Sequence, residues 1–285
     1  MARFVADTLD LSRLPSPTVI RDLDYETIRS DRLADFKRRW PEWDQGSLET
    51  DPAVILQEAD AFRELLDKQR INEAARAVML PFAEKSDLDV IGSLFGVARM
   101  IGEEDTPYRR RIALAPEAYA SAGSAGGYAF HALSVSTTIV DVGVTSPSPG
   151  VVEVVILCAD GTDPEVVAAL VSSVNARLQS DDIRPLTDHV VVMASDALSY
   201  AITAHLVVPP GPDPSVVAAA ARSSLLQLAG ATYRVGRSID ASEISGAAWS
   251  SNARRVDVSP AGVVVTRRQA PRCSSVTVTT EIAGA

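Results

Sequence analysis

Apolar residues recur at helical spacing through the first third of the chain, and beyond it they alternate or run together as strands do. Tyr25, Ile28, Leu33, Phe36 and Trp40 fall on one side of a helix that Asp24 can cap and that ends before Pro41. A longer helix starts at Asp51 and Pro52, an N-cap residue followed by a proline whose missing N–H is harmless in the first turn. Its apolar residues form two stripes, Ile55, Ala59, Phe62 and Leu66, then Ile71, Ala74, Ala75, Val78 and Phe82. The step from Leu66 to Ile71 turns roughly 140° at about 100° per residue. The buried face therefore changes sides near Asp67–Arg70, through a kink or through partners on two sides. Pro81 disrupts this helix. Ser86 with Asp89 predicts a capping-box start for a short helix with Leu88, Ile91, Leu94 and Phe95 on its apolar face and Gly96 at its end.

Later segments read as strands and helices in turn. Val140, Val142 and Val144 alternate with Asp141, Gly143 and Thr145, predicting a half-buried strand, whereas Val151–Cys158 is almost wholly apolar and predicts a central strand covered on both faces. The segment from Gly161 to Ala169 recurs fifty residues on, from Gly211 to Ala219, each copy placing an Asp-Pro pair before an Ala/Val-rich helix. Strands are expected at Ile202–Val208, His189–Ala194, Arg254–Ser259, Val263–Thr266 and Val276–Glu281, and a short helix at Glu243–Trp249. The fold class is α+β: an extended arm (1–20), a helical region (21–105), then two small tandem domains (106–196 and 197–285), with one larger α/β domain as the competing layout.

Several stretches invite two readings. Pro15 and Pro17, leading into Val19 and Ile20, favour an extended arm, either loose or lying on a neighbouring subunit. Trp40 and Trp43 bracket Pro41 in a charged segment and are either core or anchors in a partner's groove. The run from Ala98 to Arg111, three acids followed by three arginines, reads as a solvated turn at a domain boundary.

Charge narrows the function. The formal net charge is −10, which lacks the basic excess of a phosphate-backbone binder, so nucleic acid is not expected as a partner. Residues 1–111 hold 39 of the 64 charged residues, which sets the helical region apart from the small-residue-rich remainder. No secretory signal or membrane span is expected, and Cys158 and Cys273 read as free thiols in a reducing compartment. Ser121–Gly127 lacks the Lys-Ser/Thr pair of a phosphate loop and reads as a turn before a helix. His131, His189 and His205 sit in unrelated settings, and the carboxylate pairs Asp181-Asp182 and Asp87/Asp89 and the trio Glu103-Glu104-Asp105 read as caps and turns. No catalytic residue, metal ligand or cofactor is expected.

The segments from Asp51 to Ala83 and from Asp87 to Val97, with Leu14–Ile28 and Arg38–Trp43 upstream and RRRIALAPEAYASAGSAGGYAFHALS, TSPSPGVVEVVIL, IRPLTDHVVV and QAPRC downstream, resemble in order the baseplate J family of contractile-tailed phages. The linker before the Arg-rich step is trimmed relative to that family. The resemblance implies a non-enzymatic component of the baseplate wedge in a virion assembled in the bacterial cytoplasm. It also implies an N-terminal bundle formed with a second copy and a tail protein I family partner. Further contacts are expected with neighbouring wedge, hub and sheath-initiator proteins. Candidate interface residues are Pro15, Pro17, Val19, Ile20, Tyr25, Phe36, Trp40, Trp43, Phe62, Leu66, Ile71 and Val78. The rival function is a cytosolic enzyme or small-molecule-binding domain using the Gly-rich turn near His131.

Overall fold

A computed structural model describes residues 14–15, 19, 23–43, 50–119, 123–211, 213–249 and 253–283. The described residues divide into two compact units, one within residues 9–98 and one within residues 99–285.

The first unit is helical. Helix α1 (Tyr25–Arg39) starts where the Asp24 carboxylate accepts the Thr27 N–H, and Lys37, Arg38 and Arg39 sit at the negative end of its dipole. Helix α2 (Pro52–Ala77) starts where Asp51 accepts the Ala53 N–H at 2.8 Å. At 26 residues α2 is about 39 Å long and outreaches the 15-residue α1 by more than 15 Å. Leu33, Trp43 and Val54 form the small core between them, with Phe36 and Ala53 packed against it. Arg29–Glu58 and Arg32–Glu64 ion pairs, both at 2.8 Å, line the contact.

Helix α2 runs unbroken through Asp67–Arg70 and ends four residues before Pro81. Helix α3 (Lys85–Leu94) differs from the expected start: Glu84 is its N-cap residue, without a side-chain cap, and no Ser86 capping box forms. Its end is as expected. Gly96, at φ 63°, lets Val97 N–H reach Gly92 O and Gly96 N–H reach Ser93 O, the paired bonds of a Schellman cap.

The second unit is α+β. Helices α4 (Asp105–Ala118) and α5 (Ala125–Leu133) precede the hairpin β1 (Ile139–Ser148) and β2 (Val151–Cys158), then α6 (Pro164–Leu178) and β3 (His189–Ala194). Strand β2 is central, antiparallel to β1 and parallel to β3. Only Ser195 separates β3 from β4 (Asp196–Val208). Helix α7 (Pro214–Thr232), β5 (Ile239–Asp240), α8 (Ala241–Ala248), β6 (Arg255–Ser259), β7 (Gly262–Val263) and β8 (Gln269–Ile282) follow. Strand β4 is central in the second sheet, antiparallel to β6 and parallel to β8, while β5 pairs with β7.

Both Asp-Pro signals work as read, because Asp163 caps α6 and Asp213 caps α7 through an N–H two residues on. Helix α7 presents Val217, Ala221 and Leu225 to Ile202, Ala204, Leu206 and Val208 of β4, a helical period meeting a period of two. One face of β2, with Val154, Ile156 and Cys158, packs under α5 and α6. The other, with Val155 and Leu157, is closed by Val235 and Ala270 from the later part of the chain.

Four further expectations need correction. Val142 and Val144 are buried as expected, but the other face is buried too, because Val235 covers Asp141, at 1 % exposure, and Gly143, while Val140 is exposed at the register irregularity between Ile139 and Asp141. The stretch Asp105–Arg111 is the start of α4 and not a solvated turn. Strands β4 and β8 begin earlier than their apolar cores suggest, since each extends the other's ladder from Asp196↔Gln269 onward. Conversely, the strand expected at Val263–Thr266 reduces to Gly262–Val263.

Candidate assembly surface

The largest unsatisfied demand for burial in the helical unit lies on α2. Its covered face carries Val54, Ala61 and Asn72. The two apolar stripes lie roughly 100–120° to either side of that face at about 100° per residue. Ile55, Phe62, Leu66 and Ile71 are each about half exposed, and Val78 is 74 % exposed. Leu56, Met79, Val90 and Leu94 add to the uncovered apolar surface of this unit. A helix buries a stripe against something or leaves it in water at a cost of about 25 cal/mol per Å². This uncovered apolar surface is the candidate assembly surface of the unit.

The other interface residues read from the sequence separate by burial. Trp43 is core: it packs on Leu33 and Val54, and its Nε1 donates to Asp51 Oδ2 at 3.2 Å, so the N-cap carboxylate also fixes the indole. Trp40 is 53 % exposed and its ring meets that of Phe36 edge-on. Phe36 bridges the two indoles and is half-buried, as is Tyr25. Pro15 and Val19 are exposed; Pro17 and Ile20 lie outside the described residues, as does most of the arm.

An open groove runs between α1 and α2, lined by Ile28, Phe36, Asp31, Arg32, Glu64 and Lys68. Its charges largely neutralise one another. Lys68 foremost, with Arg32, holds the Glu64 carboxyl below its usual range against the opposing effect of burial.

At the start of the second unit, sequence reasoning missed a buried polar knot. Glu103 accepts from Arg111 Nε at 2.7 Å and Nη2 at 2.6 Å, and the side chains are 1 % and 6 % exposed. Arg111 Nη1 also donates to Ser134 Oγ at the end of α5. Arg99 stacks over the Tyr108 ring at 4.5 Å and pairs with Asp105. The signal was present, since Glu103 and Arg111 are eight residues apart across a helix start, but like residues in solvated turns look the same in sequence.

The two sheets are fastened to each other by similar means. Buried Asp141 accepts Val235 N–H at 2.8 Å and Arg110 Nη2 at 2.6 Å. Arg268 donates to buried Glu153, with Arg267 nearby, and Arg268 foremost holds that carboxyl below its ordinary value. Arg272 pairs with Asp160 at 2.7 Å, and Tyr233 Oη donates to Cys158 O.

The residues of the rival enzymatic reading are dispersed. Gly123 sits where an added Cβ would meet Pro185 Cγ at 2.6 Å, and the Gly127 N–H is taken by the Ser124 hydroxyl, so this turn packs and caps rather than presenting N–H groups to an anion. His131 is half-buried beside Phe130; burial, then Arg177, lowers its pKa against the pull of Asp182. His189 opens β3, and His205 bonds Thr279 and Glu281 on β8. Cys158 is buried and Cys273 partly so, and burial pushes both thiols up. Among the described residues no group of three His, Cys, Asp or Glu side chains is placed to hold a metal, and no helix is long and apolar enough to cross a membrane.

Comparison with known proteins shows two family matches. Residues 49–106 match the family model described as Baseplate J-like N-terminal domain, and residues 120–194 match that described as Baseplate J-like central domain. The chain is also 36 % identical over 297 residues, 95 % of its own length and 97 % of the other, to a protein of Escherichia phage P2 named Baseplate protein J.

Proposed function

Since the chain belongs to the baseplate J family, we propose that it is a structural component of the baseplate wedge in a contractile phage tail or a particle derived from one. The observation that carries this reading is the pair of uncovered apolar stripes on α2, which lie within the segment matching the family's N-terminal domain.

In this reading the α2 stripes join a helical bundle containing a second copy and a partner of the tail protein I family. The regions 106–196 and 197–285 act as two domains that link neighbouring wedges into a ring around the hub and meet the sheath initiator. Asp141, Glu153 and Asp160 fasten the two sheets, which favours their moving as one body. The short connection Gly96–Glu104, with glycines at φ 63° and 74°, is suited to rigid-body rearrangement when the sheath contracts. Assembly takes place in the host cytoplasm and the product is part of the virion.

The test is co-expression of the tagged chain with its genomic neighbours, followed by light scattering of the eluted complex. The expected product holds two copies of this chain and a smaller partner. Phe62→Asp is expected to abolish capture with helix content unchanged; capture that survives it would remove Phe62 from the interface.

A further inference from the structure

We propose that Glu103 latches the connection between the two units onto the second of them from Arg99 onward, and so confines their relative turning to the links between Val97 and Arg99. This rests on the rigid-body reading above and names the point at which the connection bends and what keeps the rest of it stiff. The connection begins as a helix end. Gly96 N–H and Val97 N–H close the cap of α3 on Ser93 O and Gly92 O, and Val97 is 3 % exposed, so the chain is held as far as Val97. It is held again from Arg99. Residues Met100 to Glu103 form a β-turn closed by Glu103 N–H on Met100 O at 3.0 Å, with Gly102 at φ 74° in the third position, where a type II turn requires a left-handed residue.

One residue ties this turn down. Glu103 Oε2 accepts Met100 N–H at 2.9 Å and Arg111 Nη2 at 2.6 Å, and Oε1 accepts Arg111 Nε at 2.7 Å. The Glu103 carbonyl accepts Arg99 Nη1 at 3.0 Å, and the same Nη1 pairs with Asp105 at 2.7 Å. The Arg99 and Arg111 guanidinium groups meet one ring, that of Tyr108, at 4.5 and 5.5 Å. Asp105, Tyr108 and Arg111 follow one another at a spacing of three and so share a side of α4, which makes the start of that helix the plate on which the turn is fastened. Opening the Glu103–Arg111 pair leaves each charge without its partner where the side chains are only 1 % and 6 % exposed, so the latch stays shut while the units turn. The next residue back, Arg110, bonds Asp141 of β1, so the plate is itself fixed to the sheets. From Arg99 onward the connection moves with the second unit.

Ile101 stands at the tip of the turn, wholly exposed, and a label there reports which unit the turn follows. The experiment uses the full chain with Cys158→Ala and Cys273→Ser, spin-labelled at pairs of introduced cysteines, and reads distance distributions by double electron–electron resonance. Arg63→Cys with Leu186→Cys spans the two units, at positions 78 % and 96 % exposed. Ile101→Cys with Leu186→Cys is expected to give a distribution as narrow as Leu186→Cys with Val264→Cys, both inside the second unit. Arg63→Cys with Ile101→Cys is expected to be as broad as the pair that spans the units. Glu103→Gln combined with Arg111→Met removes the latch without stranding a buried charge. It should broaden the 101–186 distribution to that of the spanning pair and open the chain to trypsin after Arg99, with the circular dichroism spectrum unchanged. A 101–186 distribution as broad as the spanning pair in the unaltered latch overturns the proposal. So does a narrow one that survives the double change, or a spanning pair no broader than the pair inside the second unit. The label pairs in the unaltered latch decide the matter even where the double variant does not fold. The wedge reading falls separately, by failed capture of the neighbours, and a narrow 101–186 distribution in a chain that captures nothing would leave the latch standing.

Discussion

Asp141→Ala should cost the second unit about 3–4 kcal/mol of stability. The carboxylate is 1 % exposed and accepts from Val235 N–H at 2.8 Å through one oxygen and from Arg110 Nη2 at 2.6 Å through the other. Alanine leaves the Val235 N–H buried without its acceptor, which costs about 1–3 kcal/mol. It also breaks an ion pair; for fully buried pairs that is about 3–5 kcal/mol, but Arg110 is 21 % exposed and keeps the Val140 carbonyl, so the lower part of that range applies. The contributions overlap, hence a total nearer 3–4 than their sum. Asp141→Asn keeps the shape and one acceptor, and should cost about 1–2 kcal/mol. Urea unfolding followed by circular dichroism reads both values from the midpoint shift, provided the slope is unchanged. The pair is also a test of coupling: Arg110→Ala and Asp141→Ala together should cost less than the two singly. An Asp141→Ala protein within about 1 kcal/mol of wild type, or strictly additive single changes, would refute the assignment of Asp141 as the fastening between the sheets.

Two further perturbations address the same contact between sheets. Gly143→Ala puts a Cβ 2.7 Å from Val235 Cγ1, and because β1 is held in register on β2 the expected cost is about 1–3 kcal/mol, measured by the same urea titration. Glu153 has a folded pKa below its unfolded value, chiefly through Arg268, so its contribution is full above the ordinary carboxylate pKa of about 4.3 and is lost as pH falls through the folded value. Melting temperatures from pH 7 to 3 should therefore fall less steeply at the acid end for Glu153→Gln than for wild type; parallel curves would dismiss the linkage.

Much of the architecture was legible because it is local. The caps at Asp24, Asp51, Asp163 and Asp213 bond residues two or three positions on, and Gly96 closes α3 through bonds that span five residues at most. The alternation of Ile202, Ala204, Leu206 and Val208 and the period of Val217, Ala221 and Leu225 each name their buried face without reference to what covers it. The family-matching segments were also legible, and with them the stripes of α2, since helical spacing names a face whatever covers it.

What only the tertiary structure decided involves partners distant in sequence. Asp141 looks like the solvent side of a strand until Val235, 94 residues away, covers that side, and Glu153 meets Arg268 across 115 residues. The lengths of β4 and β8 were set by each other and not by their own apolar content. Trp40 and Trp43 are chemically alike and three residues apart, yet one is exposed and one is core, because only Trp43 reaches Leu33, Val54 and the Asp51 carboxylate across the start of α2. Periodicity records which way a side chain points within its own element; which element it meets depends on the path of the rest of the chain.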